Sequence, residues 1–382
     1  MGILRSLFSF VGQSTNDPAK NSDFFRARNI AGSCDLSSII HELDQEKFLE
    51  PFSLLVEKKY SAEIIKTGFK ATKNDWEFFA ALWLYDVPTA EHSIRTMALA
   101  KRIATDQMEG PRGEKITLEK LVENKLPLEQ FLRAALFHDI GKIALPREVV
   151  NNALGDKEMG ELFMDTLRGK DRNAILETAG LDPNNIKSSE DALRLLYTRG
   201  LRPKDVVPVS VIFAGPQSDT LRAIERKGFS TEETLGEIMS RHEQEGEKIF
   251  ARIDPDVADI IGHHHPGVRL PQQKDLNTAK EAETGLRRYA IHFMLAVVDE
   301  YDAIGHQRNY KKALKKAETL SILAHETVSG RLEKGITYLW LKERYKTLKR
   351  EPGDEKFCKT IEDFLENIEN KNAVNELVKI IV

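Results

Sequence analysis

The sequence predicts an all-α protein. Three observations carry this expectation. Apolar residues recur at helical spacing along most of the chain, no run alternates apolar and polar residues convincingly, and glycines and prolines fall as breaks between the periodic stretches. With 382 residues the chain holds one large domain or two ordinary ones, and its 41% apolar residues can fill a substantial core. The net charge of -4 and the lack of a long basic block exclude an electrostatic footprint for nucleic acid or a membrane surface. An anionic substrate therefore has to be met by a local site. Cys34 and Cys358 stand alone near opposite ends, which excludes a disulfide framework or a cysteine-based zinc site and suits a reducing, cytoplasmic compartment. No apolar run approaches the length of a membrane span. The opening MGILRSLFSFVG is too short and weakly flanked for a signal peptide. It fits an acylation pattern at Gly2 and Ser6, but an amphipathic terminus, frayed or packed on a partner, is the preferred reading.

In chain order, residues 1–75 read as an N-terminal helical region, loosely ordered over 1–30 and carrying Phe52, Leu55 and Val56 at burial spacing. Residues 76–330 read as the main domain. There Trp76, Phe79, Ala80 and Trp83 mark a buried helix, and a polar connection over 106–115 separates the helix after Pro88 from one starting near Pro127. Residues 156–228 look like a helical insertion broken at Gly169, Gly180, Pro183, Pro203 and Gly215-Pro216. A helical tail over 331–382 is broken at Pro352-Gly353.

The placement of histidine and aspartate is the informative feature. Leu128, Phe131, Leu132 and Ala135 form a stripe that runs into His138-Asp139, with Gly141 expected as the C-terminal cap residue. Ser230 and Glu233 read as a capping box for a helix whose stripe Leu235, Ile238, Met239 continues to His242, then Gly246, Ile249 and Phe250. Asp254-Pro255 opens a further helix in which Val257, Ile260 and Ile261 lead to His264 and His265, with His263 off the stripe. A helix through Leu295 and Val298 continues to Asp299 and Asp302. His92 is expected in the first turn of a helix capped by Thr89.

A charged aspartate is seldom buried unless it is paired or binds a metal. Imidazole and carboxylate without thiolate suit hard and borderline transition metals. His92, His138, Asp139, His242, His264, His265 and Asp299 are too many ligands for one ion. They suit two ions sharing a bridging carboxylate, an arrangement that activates a water for in-line attack on phosphorus. His292 lies two turns before Asp299 on a similar face and reads as a core histidine in preference to the partner of a ligand, Asp302 reads as a helix-stabilising residue or the partner of a ligand, and His41, His306 and His325 have no supporting context.

These segments resemble the HD-domain phosphohydrolases, most closely their HD-GYP branch. AALFHDIGKIALPREVV (134–150) is similar to that branch's His-Asp-x-Gly-Lys motif, SRHEQEGEKIF (240–250) to its third-histidine helix and VADIIGHHH (257–265) to its paired histidines. AVVDEYDAIGHQRNYKKAL (296–314) is similar to its final aspartate motif. The resemblance spans about 76–330 and implies an HD-domain helical bundle. It implies that His92, His138, Asp139 and Asp299 hold one divalent ion, and that His242, His264 and His265 hold the other, with Asp139 bridging. It further implies that Lys142 and Arg308 face the substrate phosphate, with Asp139 and Lys142 catalytic. Iron or manganese is favoured, and zinc, cobalt and nickel also suit the ligand set.

Two departures stand out. The branch follows its paired histidines with Glu and a Gly-Tyr-Pro signature, where this chain has Pro266-Gly267-Val268-Arg269-Leu270-Pro271. Pro88 stands where some members carry a glutamate for a third metal, so two metals are expected. The expected activity is a phosphodiesterase acting on a cyclic dinucleotide, of which cyclic di-GMP is the branch's best-known substrate, or on a related signalling nucleotide. The alternatives are an HD-type nucleotidase or phosphomonoesterase, and a degenerate nucleotide-binding sensor or scaffold. A homodimer or protein partner is expected, if anywhere, on the N-terminal helices or the insertion. The insertion itself is expected to overhang the active site as a lid, with packing away from the cleft as the alternative.

Overall fold

In the computed structural model the described residues are 45–123, 126–151, 156–169, 172–198, 201–213, 218–265, 279–306 and 314–381. They form an all-α fold, as the periodicity predicts. The exception is an antiparallel ribbon of Met108–Glu109 with Lys115–Ile116, inside the connection read as polar loop. Strands of two residues are too short to leave an alternating pattern. Among the described residues no helix is long and apolar enough to cross a membrane. The expectations for Gly2, Ser6, Cys34, His41, Gly215-Pro216 and the segment after His265 fall outside the described residues.

The chain divides into two compact units. Among the described residues one comprises those within 45–141, 243–306 and 314–381, and the other those within 142–242. The first unit begins with α1 (Gln45–Ile65), α2 (Lys73–Tyr85) and α3 (Val87–Thr105), then α4 (Glu119–Glu123) and α5 (Leu128–Phe137). Helix α2 is apolar nearly all round, with Phe79, Ala80, Ala81, Leu82 and Leu84 fully buried, so it sits inside the unit rather than on its surface. Thr72 and Asp75 close its N-terminus as a capping box. Arg133 on α5 then bonds Asp75 at 3.0 Å and lies 3.5 Å from Asp254, tying α5 to the starts of two other helices.

The second unit holds α6 (Arg147–Asn151), α7 (Asp156–Thr166), α8 (Arg172–Thr178), α9 (Ser189–Thr198), α10 (Val209–Ile212), α11 (Ser218–Arg226) and α12 (Leu235–Ser240). It has apolar clusters of its own, one around Phe163, Leu176 and Leu196, the other around Leu145, Val209 and Ile224. The breaks at Gly169 and Gly180 fall between its helices, and Pro183 and Pro203 each open a short 3-10 turn. Helix α12 is capped by Thr234 with Glu237, not by Ser230 with Glu233, which instead close the preceding turn.

The first unit resumes with α13 (His242–Phe250), whose first residue is the boundary between the units, and continues through α14 (Pro255–Ile261) and α15 (Ala279–Gly305). The tail forms α16 (Lys316–Val328), α17 (Lys334–Lys346), α18 (Glu355–Glu366) and α19 (Ile368–Ile381), with the break at Gly353 taken at φ +92°. Helix α3 packs on both α5 and α15, and α5 also packs on α14. Phe250 of α13 sits 5.2 Å from both Phe78 and Phe137, which seats α13 in the same core.

Candidate active site

The site gathers where α3, α5, α13, α14 and α15 converge. Its histidines lie mainly at helix ends rather than along helix faces. Helix α3 starts at Val87 behind the N-cap Asp86, whose carboxylate accepts from the Thr89 amide at 2.9 Å. Thr89 is therefore inside the helix, and His92 falls in the second turn. Helix α5 stops at Phe137, His138 takes the C-cap position in right-handed geometry, and a 3-10 turn follows over Ile140–Ala144. Gly141 has no positive φ and is not the left-handed cap expected from the sequence. His242 is the first residue of α13, after a break at Arg241 that ends α12. His264 and His265 lie beyond Gly262, the C-cap of α14. Asp299 alone sits deep within a long helix, α15.

All seven proposed ligands fall into three overlapping groups whose ligand atoms lie within 4.8 Å of one another. These groups are His92–His138–Asp139, His138–His264–Asp299 and His242–His264–His265. His138 and His264 are shared between groups and are fully buried. The His92 Nε2 atom is 2.8 Å from Asp299 Oδ1 and 3.9 Å from Asp139 Oδ2. The His138 Nε2 atom is 3.5 Å from Asp139 Oδ2 and 3.4 Å from Asp299 Oδ1. Neighbouring rings stand edge-on, His92 to His138 at 5.2 Å and His138 to His264 at 5.1 Å. Asp139 belongs to the first group only, and Asp299 and His138 connect that group towards His264.

The backbone sets the tautomers. Nδ1–H of His138 donates to Ala135 O at 2.9 Å, Nδ1–H of His264 to Ile261 O at 2.6 Å, and Nδ1–H of His242 to Met239 O. A proton held at Nδ1 makes Nε2 the lone-pair nitrogen that can ligate a metal. For His138 that Nε2 is buried and has no hydrogen-bond partner. Leaving such an atom unsatisfied costs about 1–3 kcal/mol, so it calls for a cation or proton. Electrostatics point the same way. Burial disfavours the charged His138 ring, yet Asp139 and Asp299 outweigh it and raise its affinity for a proton. Burial likewise pushes the Asp299 carboxyl up, but the rings of His138 and His92 hold it well below the carboxylate range. Carboxylates that favour a proton at His138 Nε2 equally favour a metal ion there. The residues present thus fit a divalent metal, by donor type and by this unsatisfied atom.

Two supporting residues, Glu243 and Arg95, went unread in the sequence. Glu243 is fully buried and accepts from the His265 amide at 2.8 Å, so it fixes the backbone that carries the paired histidines. The sequence offered only its place directly after His242, not its partner 22 residues on. Asp302 accepts from His92 Nδ1 at 2.7 Å, in keeping with its reading as a ligand's partner, and also binds Arg95 at 3.0 Å. His306, which has no supporting context in the sequence, lies 2.9 Å from the same carboxylate. His263 stays out of the three groups, as the stripe predicts, and pairs with Asp259. His292 is buried as expected and bonds Asp259 at 3.2 Å. Lys142 is buried in the 3-10 turn, three residues after Asp139. Arg308 lies outside the described residues.

Residues 89–181 match the HD domain family, a segment of about a quarter of the chain that includes His92, His138, Asp139 and Lys142. No curated protein and no solved structure matches the chain. The HD domain, together with the His/Asp groups that can bind metal, supports a metal-dependent phosphohydrolase.

Proposed function

We propose that the chain is a phosphodiesterase of the HD-GYP kind that hydrolyses a cyclic dinucleotide or a related signalling nucleotide. The observation that supports this reading is the run of three overlapping His/Asp groups, too extended for one ion and continuous through His138 and His264. His92, His138, Asp139 and Asp299 would hold one divalent ion and His242, His264 and His265 the other, with Asp139 as the bridge. Iron or manganese is the favoured pair. When bound, such ions supply Lewis-acid polarisation of the phosphate and lower the pKa of water.

The protein's own residues do the remaining work. Hydrogen bonds at Nδ1 of His138, His242 and His264 aim Nε2 of each ring, so little reorganisation is needed when a ligand binds. Asp302, itself held by Arg95, fixes the His92 ring. Lys142, and Arg308 in the trailing motif, would supply fixed positive charge to the scissile phosphate. The burial of His138, Asp139 and Asp299 keeps bulk water from competing for these groups.

A second reading, an HD-type nucleotidase or phosphomonoesterase, is favoured by the sequence from Pro266 to Pro271, which lacks the tyrosine of the Gly-Tyr-Pro signature. A degenerate nucleotide-binding scaffold is a weaker reading, because a buried charged cluster costs several kcal/mol to desolvate and serves a scaffold nothing. Turnover of cyclic dinucleotides, linear dinucleotides and nucleoside monophosphates with Mn(II) or Fe(II) separates the three. Diester cleavage supports the first reading, exclusive monoester cleavage the second, and binding without turnover the third.

A further inference from the structure

We propose that Asp259, His263 and His292 form a separate, peripheral site for a borderline divalent transition ion such as Zn(II). Asp259 Oδ1 lies 3.3 Å from His263 Nδ1, and Asp259 Oδ2 lies 3.2 Å from His292 Nε2. One ligand atom from each of the three residues falls within 4.8 Å of the others. Ligand atoms about 2.0–2.1 Å from a tetrahedral ion stand about 3.3–3.4 Å apart, so the Asp259–His292 pair already has ligand spacing, while His263 Nδ1, which donates to the Asp259 backbone O at 2.8 Å, would exchange that bond for the ion. Two imidazoles and one carboxylate form a donor set that zinc, cobalt and nickel accept.

The setting is that of a site open to solvent on one side. The Asp259 side chain is 63% exposed and that of His263 21%, while His292 forms the buried floor at 3%. The floor is held in place by neighbouring rings: His292 meets His263 edge-on at 6.0 Å and Tyr289 at 5.7 Å. None of the three residues belongs to the central groups.

The location gives the site a consequence. His263 directly precedes His264 and His265, and His292 lies two turns before Asp299 on α15. An ion held by Asp259, His263 and His292 clips the end of α14 to α15, the two elements that bring these central residues together. Peripheral occupancy thereby stiffens the central cluster without entering it.

The test is metal counting with Asp259→Asn, whose side chain is exposed, and His292→Gln, checked for folding by circular dichroism. Wild type and variants are dialysed to equilibrium against Zn(II) and their bound metal is measured by mass spectrometry. Each variant should bind one equivalent fewer than wild type, and the rise in thermal midpoint on adding Zn(II) should shrink in Asp259→Asn. Equal counts and equal midpoint responses in wild type and Asp259→Asn overturn the proposal. The difference in count is independent of how many ions the central cluster holds. One equivalent in wild type and none in Asp259→Asn would therefore keep the peripheral site and remove the central pair.

Discussion

Asp302 Oδ2 accepts from His92 Nδ1 at 2.7 Å, while the opposite nitrogen of the same ring lies 2.8 Å from Asp299 Oδ1. The two aspartates stand three residues apart on α15 and grip one imidazole from either side. Burial pushes the Asp302 carboxyl up, but His92 and then Arg95 outweigh it, so it stays an ionised acceptor. Replacing Asp302 by Asn leaves a weaker acceptor that no longer enforces the tautomer. Removing such an orienting carboxylate typically costs about 10–100-fold in metal affinity. Competition dialysis of Asp302→Asn against a chelator should show a loss of that order with unchanged helix content. Wild-type affinity would show that Asp302 is structural only.

On the proposed reading Asp139 serves the metals and Lys142 the substrate, so their variants separate the two. Asp139→Ala should lose both metals and all hydrolysis, because a bridging carboxylate serves both ions. Lys142→Ala should keep its metals and turn over more slowly. Metal content and rate are measured on both proteins, and full metal loading in Asp139→Ala removes the bridging assignment.

Gly246 on α13 is a contact point rather than a flexible joint. A Cβ there would meet Ile261 Cγ2 at 2.6 Å and the Gly141 backbone nitrogen at 3.4 Å. Overpacking of this kind costs about 1–3 kcal/mol, partly offset by roughly 1 kcal/mol of helix propensity gained. Gly246→Ala should therefore be destabilised by about 1 kcal/mol in urea denaturation. A variant as stable as wild type would mean that α14 can shift freely.

The sequence carried the helical class, the helix after Asp254 and the identity of the seven clustered residues, because burial periodicity and charge in apolar stripes are local signals. Helix ends were less legible. Thr89, Gly141 and Ser230 each fit a capping rule, yet Asp86, His138 and Thr234 hold those positions. Capping preferences differ by about 1 kcal/mol, and tertiary packing readily overrides them. Extending stripes past true helix ends still found His138, His242 and His264, since a residue just beyond a buried face remains near the core. Glu243 and the Arg95 contact to Asp302 were not legible, because they depend on contacts between distant segments.

Glu109 is a source of acid sensitivity outside the site. Lys346 and then Lys342 on α17 bond Glu109 in the β-ribbon and bring its carboxyl from 4.5 down to about 2. A folded-state value below the unfolded one means this contribution is full above pH 4.5 and is lost as pH falls through about 2. The gap in thermal midpoint between wild type and Glu109→Gln should be largest near pH 6 and narrow between pH 4.5 and 2. A gap that stays constant across that window assigns the effect of Glu109 to packing instead.

The most direct test of the account is the metal content of the protein purified without oxygen, measured together with phosphodiester hydrolysis before and after chelation. About two transition-metal ions per chain are expected, with loss of hydrolysis when they are stripped and its return with Mn(II) or Fe(II). Hydrolysis that survives complete metal removal, or a chain that retains no metal at its His/Asp cluster, contradicts that expectation.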